Sequence, residues 1–158
     1  MARPTKKRRA HHQAADGPYL YLAATCEKVI KEADGTLTLC RIIDKFTISA
    51  PTPSLPPGTI VFSIVVGIRS GQAKGKRLLK VCGIDPEGVQ CASGSQTIKL
   101  AGGATGMNVQ FDMQLQVTQT GVYWFSVTLD DQLLSKMPLV VTYQRVVAST
   151  SSRHLGGS

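Results

Sequence analysis

The central part of this sequence contains no histidine. The three histidines of the chain, His11, His12 and His154, all lie near its ends. Nucleophilic catalysis by a Ser-His or Cys-His pair needs a histidine base, so residues 18–147 hold neither arrangement. No Gly-x-Ser-x-Gly elbow is present, and most carboxylates fall at predicted turns or on a polar strand face. We therefore expect that the protein is not an enzyme.

Cysteine is sparse, and its spacing is not that of a metal site. Cys26, Cys40, Cys82 and Cys91 form no Cys-x₂-Cys pair. We predict no metal ion, no cofactor and no disulfide, with the thiols reduced and packed as small apolar groups. Cys82 and Cys91 flank a turn at 85–88, where Asp-Pro-Glu-Gly favours a glycine bulge. A bulge shifts the strand pairing and places the two thiols on opposite faces.

Long apolar segments are also lacking. The most apolar run, residues 59–68, is ten residues long, which is roughly half the length of a membrane-spanning helix. The basic start of the chain is not followed by the apolar segment of a signal peptide. We expect a cytoplasmic protein with no membrane association.

Between turn signals, apolar and polar residues alternate with a period of two, which is typical of strands and not of helices. It is clearest over residues 108–118, where apolar and polar side chains take opposite faces. Asp34-Gly35 predicts a type I′ hairpin turn. Four prolines in residues 50–58 predict an exposed crossover loop, with a Pro-rich ligand for an aromatic groove as the alternative. Val61 and Val65 predict that their strand is covered on both faces.

These signals predict the fold class. The predicted strands are residues 19–28, 36–43, 60–69, 76–83, 89–92, 96–100, 108–118, 121–129 and 132–146. About eight to nine short strands without a helix are typical of an all-β sandwich. A closed barrel is the alternative.

A late hairpin, residues 121–141, contains the only tryptophan. We expect its turn at Asp130-Asp131 and its inward face to anchor the core. The predicted core comprises Tyr123, Phe125, Val127 and Leu129, with Phe111, Met113 and Leu115 from the preceding strand and Phe62, Ile64 and Val66 from across the sandwich. Trp124 falls on the opposite face, where we expect a loop to cover it. An exposed Trp124 would instead be the best candidate for an interface hot spot.

Basic residues are concentrated at the start of the chain. The formal net charge is +8, and five positive charges lie in the first nine residues, namely Arg3, Lys6, Lys7, Arg8 and Arg9. We interpret residues 1–17 as a disordered arm attached to a β-sandwich domain at 18–147. The arm is either a solvated tail or a nucleic-acid tether, in which Lys6–Arg9 contact phosphates.

Residues 148–158 form a second predicted tail, which ends in Arg-His-Leu-Gly-Gly-Ser. This ending resembles the conjugation tail of ubiquitin-like modifiers. In that interpretation Ser158 is removed and Gly157 is joined to targets by activating and conjugating enzymes, since Gly156 and Gly157 let the backbone pass through a narrow channel. A chance ending or an added linker is the alternative.

Two segments of the domain resemble an uncharacterised family of small bacterial proteins. Thr25-Cys26-Glu27-Lys28-Val29 with residues 34–46 resembles the opening hairpin of that family. Gly121-Val122-Tyr123-Trp124-Phe125, with Asp130 and Met137-Pro138-Leu139, resembles its closing hairpin. The similarity covers roughly residues 19–145. It implies an immunoglobulin-like antiparallel β-sandwich in a bacterial cytosol, and it implies no catalytic residue.

The leading functional hypothesis is therefore a non-catalytic β-sandwich that binds another protein of unknown identity. Loops at the ends of the sandwich or an exposed sheet edge would supply the interface. The alternatives are a ubiquitin-like modifier acting through Gly157 and a nucleic-acid-associated protein acting through its basic arm.

Overall fold

The computed structural model describes residues 16–147, and every regular element in that part of the chain is a strand. No helix in residues 16–147 is long and apolar enough to cross a membrane. The strands are β1 (Tyr19–Lys31), β2 (Leu37–Ile42), β3 (Lys45–Ala50), β4 (Gly58–Ile84), β5 (Gln90–Val117), β6 (Gly121–Leu129) and β7 (Gln132–Arg145).

The long strand β4 is folded over, and this gives the molecule two layers. Phe62, near the start of β4, packs edge to face on Phe125, with ring centroids 5.4 Å apart. Gly83, near the other end of β4, lies directly opposite Phe125 in the sheet. A straight strand would separate Phe62 and Gly83 by roughly 70 Å. Because both contact one aromatic ring, β4 must bend back between them.

Glycines make the bend possible. The pairing of β4 with β5 shifts register at Gly71, and Gly71, Gly75, Gly102 and Gly103 all have positive φ. Glycine adopts this conformation without a Cβ clash, so the two strands bend together and stay paired on both sides. The sequence predicted that residues 60–69 and 76–83, and likewise 96–100 and 108–118, are separate strands joined outside the sheet. That prediction was wrong, because the glycines bend two continuous strands.

The bend assigns each half of the β4–β5 hairpin to a different layer. The first layer contains β2, β1, the first half of β4 and the second half of β5. The second layer contains β3, β7, β6, the second half of β4 and the first half of β5. Four strand segments thus face five, which confirms the immunoglobulin-like β-sandwich of about eight to nine strands. The strand order runs from β2 to β3 without closing into a ring over residues 16–147.

The core lies between the layers, and the burial of the predicted core residues is confirmed. All the predicted core residues are buried in a single cluster, namely Tyr123, Phe125, Val127, Leu129, Phe111, Met113, Leu115, Phe62, Ile64 and Val66. Strand β6 meets β5 across the core, while its hydrogen-bonded neighbours are β4 and β7. The residues between β5 and β6 therefore carry the chain from one layer to the other.

Strand β3 was missed by sequence reasoning. Lys45–Ala50 pairs in parallel with residues 140–145 of β7, an arrangement that no hairpin signal reports. The strand is six residues long, and only Phe46 and Ile48 pack against the core. Because β3 lies in the second layer and β4 begins in the first, the Pro-rich connector at 51–57 joins the layers. The crossover prediction is confirmed.

The outer face of the first layer is covered only in part. Val65 is fully buried, but Val61 is 64% exposed, so the prediction that both are covered was wrong for Val61. Pairing with β1 ends at Ser63, which leaves Val61 without a neighbour on that side. Near the other end, the ring of Tyr21 lies where a Cβ on Gly67 would be.

One hairpin turn differs from the prediction in type, and another is confirmed in position. At Asp34-Gly35, Gly35 donates a hydrogen bond to the carbonyl of Glu32 and only the glycine has positive φ. This is a type I turn followed by a glycine bulge, so the predicted type I′ turn was wrong. Asp130 and Asp131 both have positive φ, at 46° and 65°, as a type I′ turn requires. Asp130 is held there because its Oδ1 accepts a hydrogen bond from the backbone N–H of Leu78 at 2.8 Å.

The turn at 85–88 contains the predicted bulge. Gly83 lies opposite Ala92 and Ile84 opposite Gln90, which leaves Cys91 without a partner position. Cys91 packs against the core, whereas the neighbours of Cys82 on β4, Val81 and Gly83, are the residues buried inside. The two thiols therefore lie on opposite faces, and all four cysteines of the chain are free.

Replacing Gly83 by alanine should destabilise the protein. The added Cβ would lie 2.5 Å from Cε1 of the Phe125 ring, where the packing between the layers leaves no room. We expect a loss of about 1–3 kcal/mol in the free energy of unfolding, measured by urea denaturation. Gly58→Ala is the matched control, because its nearest neighbour is 4.0 Å away. Equal stability of the two variants would contradict this account of the layer contact.

Candidate functional site

Trp124 is exposed on the outer face of the second layer. Its side chain is 41% exposed, so the expectation that a loop covers it was wrong. The reason lies in the topology. Strand β6 is in the middle of the second layer, with β4 on one side and β7 on the other. The loops leave the layer at the ends of its strands, and Trp124 is several residues from either end of β6.

Other apolar residues surround Trp124 on the same face. Ile84 on β4 and Pro138 on β7 lie directly opposite it, and Val122 and Val140 form the next pair along β6 and β7. Directly opposed residues share a face of the sheet and are close enough for their side chains to touch. We call these five residues the Trp124 patch. It forms a continuous apolar surface across three adjacent strands.

Pro138 can occupy this central position because of where β3 begins. On its β6 side, β7 is paired at Pro138. On the other side, pairing with β3 starts only at Val140, whose N–H donates to the carbonyl of Asp44 at 2.8 Å. Proline lacks a backbone donor and is tolerated in a sheet only where no ladder bond is required from it. The proline thus extends the apolar patch at a position where β7 has a free side.

Lysines flank the patch. Lys136 lies opposite Ser126 and Lys80 opposite Thr128, so both follow the Trp124 row on the same outer face. Lys45 lies opposite Val140 at the other end. Lys80 pairs with Asp131 at 2.8 Å, and no ion pair within residues 16–147 involves Lys45 or Lys136. An apolar centre with a basic rim suits a partner surface that carries carboxylates.

Two shallow grooves border the patch. One has a volume of about 740 Å³ and runs past Val122 and Val140 to Leu55 in the Pro-rich connector. The other has a volume of about 580 Å³ and is lined by Lys80, Cys82 and the serines of β5. The first groove includes the patch residues Val122 and Val140, and the second lies beside Cys82, two positions before the patch residue Ile84 on β4.

Burial distinguishes the four thiols. Cys26 is completely buried, and this burial raises the pKa of its thiol. Burial also raises the pKa of Cys91, with a further contribution from the nearby carboxylate of Asp85. Across the described part of the chain, no group of three His, Cys, Asp or Glu side chains is placed to hold a metal ion.

The site residues predicted from the sequence fall into two groups. The proposed phosphate contacts Lys6–Arg9 and the proposed conjugation residues Gly156 and Gly157 lie outside the described residues. Trp124 lies inside them. Sequence reasoning missed its neighbours, although the apolar residues at both odd and even positions of 121–141 were a signal that this strand pair is apolar on both faces.

A family model described as a family of unknown function (DUF6941) matches residues 21–142. The chain belongs to this family. The match spans β1 to β7 and includes the whole Trp124 patch, so this surface is part of the DUF6941 domain. The comparison with curated proteins gave no match.

Three solved structures are similar to this chain at low sequence identity. An immunoglobulin-like protein from Pseudomonas aeruginosa is 13% identical, with 80% of this chain and 98% of that chain covered and a TM-score of 0.36. A glycosyl hydrolase family 2 member from Bacteroides cellulosilyticus is 15% identical, covering 54% of this chain, with a TM-score of 0.43. A β-glucuronidase of glycoside hydrolase family 2 is 12% identical, covering 56%, with a TM-score of 0.47. The chain spans only 12% and 10% of those two enzymes' lengths.

Thiol chemistry should separate Cys26 from the other cysteines. The thiolate is the reactive form, so a buried thiol with a raised pKa reacts slowly at neutral pH. With a disulfide reagent on the native protein, we expect Cys40 and Cys82 to react first, Cys91 more slowly because burial raises its pKa, and Cys26 only as the protein unfolds. Without reductant, the unfolded chain should show four thiols, because Cys26, Cys40, Cys82 and Cys91 are all free.

The matched variants are Cys26→Ala, which should remove only the slowest phase, and Cys82→Ser, which should remove only part of the fastest phase. Immediate reaction of all four thiols in the native protein would contradict the burial of Cys26.

Proposed function

We propose that this protein is a non-catalytic interaction module of the bacterial cytosol, and that it binds another protein through the Trp124 patch. The observation that carries the proposal is the exposure of Trp124 at the centre of an apolar surface formed by three strands. Tryptophan is enriched at interface hot spots, which cluster near the middle of an interface.

Rigidity of the patch supports this function. The residues that alternate with it along β6 and β7, including Tyr123, Phe125 and Leu139, are fully buried in the core. The backbone beneath Trp124 is therefore held by packing on its other face. A partner would meet a surface that is already ordered, which lowers the entropic cost of binding.

The basic rim indicates the chemistry of the partner. A surface with apolar side chains placed to meet Trp124 and with carboxylates near Lys136 and Lys45 would complement the patch in both respects. Apolar contact would supply most of the affinity, since burial of apolar surface contributes about 25 cal/mol per Å². The charges would favour the correct orientation and a faster encounter.

The ubiquitin-like modifier and the nucleic-acid tether stay predictions. Both depend on residues outside the described part of the chain. No contact within residues 16–147 favours either one.

Replacing Trp124 should weaken binding of the partner protein. We expect Trp124→Ser to weaken binding by on the order of thirtyfold or more, because a central hot-spot side chain contributes about 2 kcal/mol or more. The measurement is affinity capture from a lysate of the native bacterium with quantitative mass spectrometry, comparing wild type and variant.

Val61→Ser is the matched control. Val61 is also a large exposed apolar residue, but it lies on the outer face of the opposite layer. Proteins that bind through the Trp124 patch should be retained by this variant. Identical sets of captured proteins for wild type and Trp124→Ser would contradict the proposal.

Reversing a charge on the basic rim should weaken binding of the partner protein. Lys136→Glu should weaken capture of the same partner and reduce the salt dependence of binding, because it replaces a favourable charge with a repulsive one. Lys28→Glu is the control with the same change of net charge, since Lys28 is exposed on β1 in the first layer. Equal effects of the two substitutions would show that net charge alone matters.

A further inference from the structure

Strand β5 has one edge without a partner. It pairs with β4 from Gln90 to Val117, interrupted only at Cys91 and at the bend, and with no other strand in residues 16–147. Because the β4–β5 hairpin passes through both layers, β5 forms an edge of both. An open edge presents unpaired backbone N–H and C=O groups, which can pair with a strand from another molecule.

The other edge segments carry features that hinder such pairing. Strand β2 is only six residues long and is distorted at Arg41, a non-glycine residue with φ of 53°. Strand β3 is also six residues long, begins with Lys45 and ends just before Pro51. The first half of β5 contains the bulge at Cys91 and the charged Lys99. Short edges, bulges, lysine and proline are the usual means of blocking edge-to-edge association.

The second half of β5 carries none of these features. Residues 106–117 contain no lysine, arginine or proline, and Asp112 is their only charged residue. None of them has positive φ, and their pairing with β4 shows no register shift from Gly106 to Val117. Gly106 to Gln110 share a cavity of about 500 Å³ with Lys31, Gly35 and Leu37 of the β1–β2 hairpin, whereas residues 111–117 lie outside it. The edge is long, regular and nearly uncharged, and its part from 111 to 117 is suited to strand pairing.

We propose that this edge pairs with the same edge of a second copy, antiparallel and about a two-fold axis at Met113. In this register Phe111 lies opposite Leu115, and Gln110 lies opposite Gln116. In this register odd-numbered residues pair with odd-numbered ones and even-numbered residues with even-numbered ones. The buried side chains of one copy therefore continue the inner face of the other copy, and polar side chains lie opposite polar side chains.

Asp112 supports this register. An axis at Asp112 would place two carboxylates directly opposite each other, which is destabilising. An axis at Met113 places Asp112 opposite the amide of Gln114. Oδ1 of Asp112 already accepts hydrogen bonds from Ser63 at 2.8 Å and Gln110 at 2.7 Å. Its Oδ2 is available to accept one from Gln114 of the second copy.

The resulting dimer joins the two first layers into one continuous sheet. The Trp124 patch lies on the outer face of the second layer, away from the 106–117 edge, so dimerisation and partner binding are separate properties. Strand pairing alone buries a modest area, and we therefore expect a dimer whose population depends on protein concentration.

Sedimentation equilibrium of the full chain, from micromolar to near-millimolar concentration, tests the proposal. Wild type should shift from monomer to dimer. Gln110→Lys with Gln116→Lys places two like-charged pairs across the axis and should raise the dissociation constant on the order of tenfold. Gln110→Lys with Gln116→Glu places opposite charges there and should dimerise at least as well as wild type.

Gln132→Lys with Gln144→Lys controls for net charge, because both residues are exposed on β7 in the second layer. It should leave the dissociation constant unchanged, and so should Trp124→Ser. A wild type that is monomeric at every concentration would overturn the proposal. If the Lys-Lys and the Lys-Glu variants at 110 and 116 had the same dissociation constant, the proposed register would be wrong. If Trp124→Ser lost the dimer, the contact would belong to the Trp124 patch and not to the β5 edge.

Discussion

The contact of Phe62 and Gly83 with one ring, that of Phe125, holds the two layers together. Phe62 and Gly83 are at opposite ends of β4, so the contact exists only when β4 is bent. The glycines at the bend allow this, and the missing side chain at Gly83 gives the ring its space. The remaining strands then add to the two halves of the β4–β5 hairpin, and their inner faces complete the core.

The same arrangement determines which surfaces remain open. Folding the hairpin over buries the odd-numbered residues of β6 and leaves Trp124 on the outside of the second layer. It also leaves β5 at the edge of both layers. The Trp124 patch and the regular edge of β5 thus both result from the bend in the β4–β5 hairpin. They lie on different parts of the molecule. A protein built in this way has room for two kinds of contact.

Local patterns predicted the strands that alternate and the turns that join neighbours. Val109 to Val117 and Tyr123 to Leu129 alternate cleanly, so their inward faces were correctly predicted. The bulge at Cys91 followed from the turn residues alone. By contrast, Gly71 and Gly102 were interpreted as loop residues, since a glycine-rich segment has the same composition in a loop and in a bent strand.

By itself, the sequence determined the all-β class, the inward faces of residues 109–117 and 123–129, and the absence of a histidine base from residues 18–147. The tertiary structure decided the rest. Only the strand order shows that Ile84, Trp124 and Pro138 are neighbours, because they lie on three strands far apart in the chain. Likewise, only the fold shows that β3 pairs in parallel with β7 and that one edge of β5 is open. Pairing between distant strands depends on how the layers pack, and no local pattern records it.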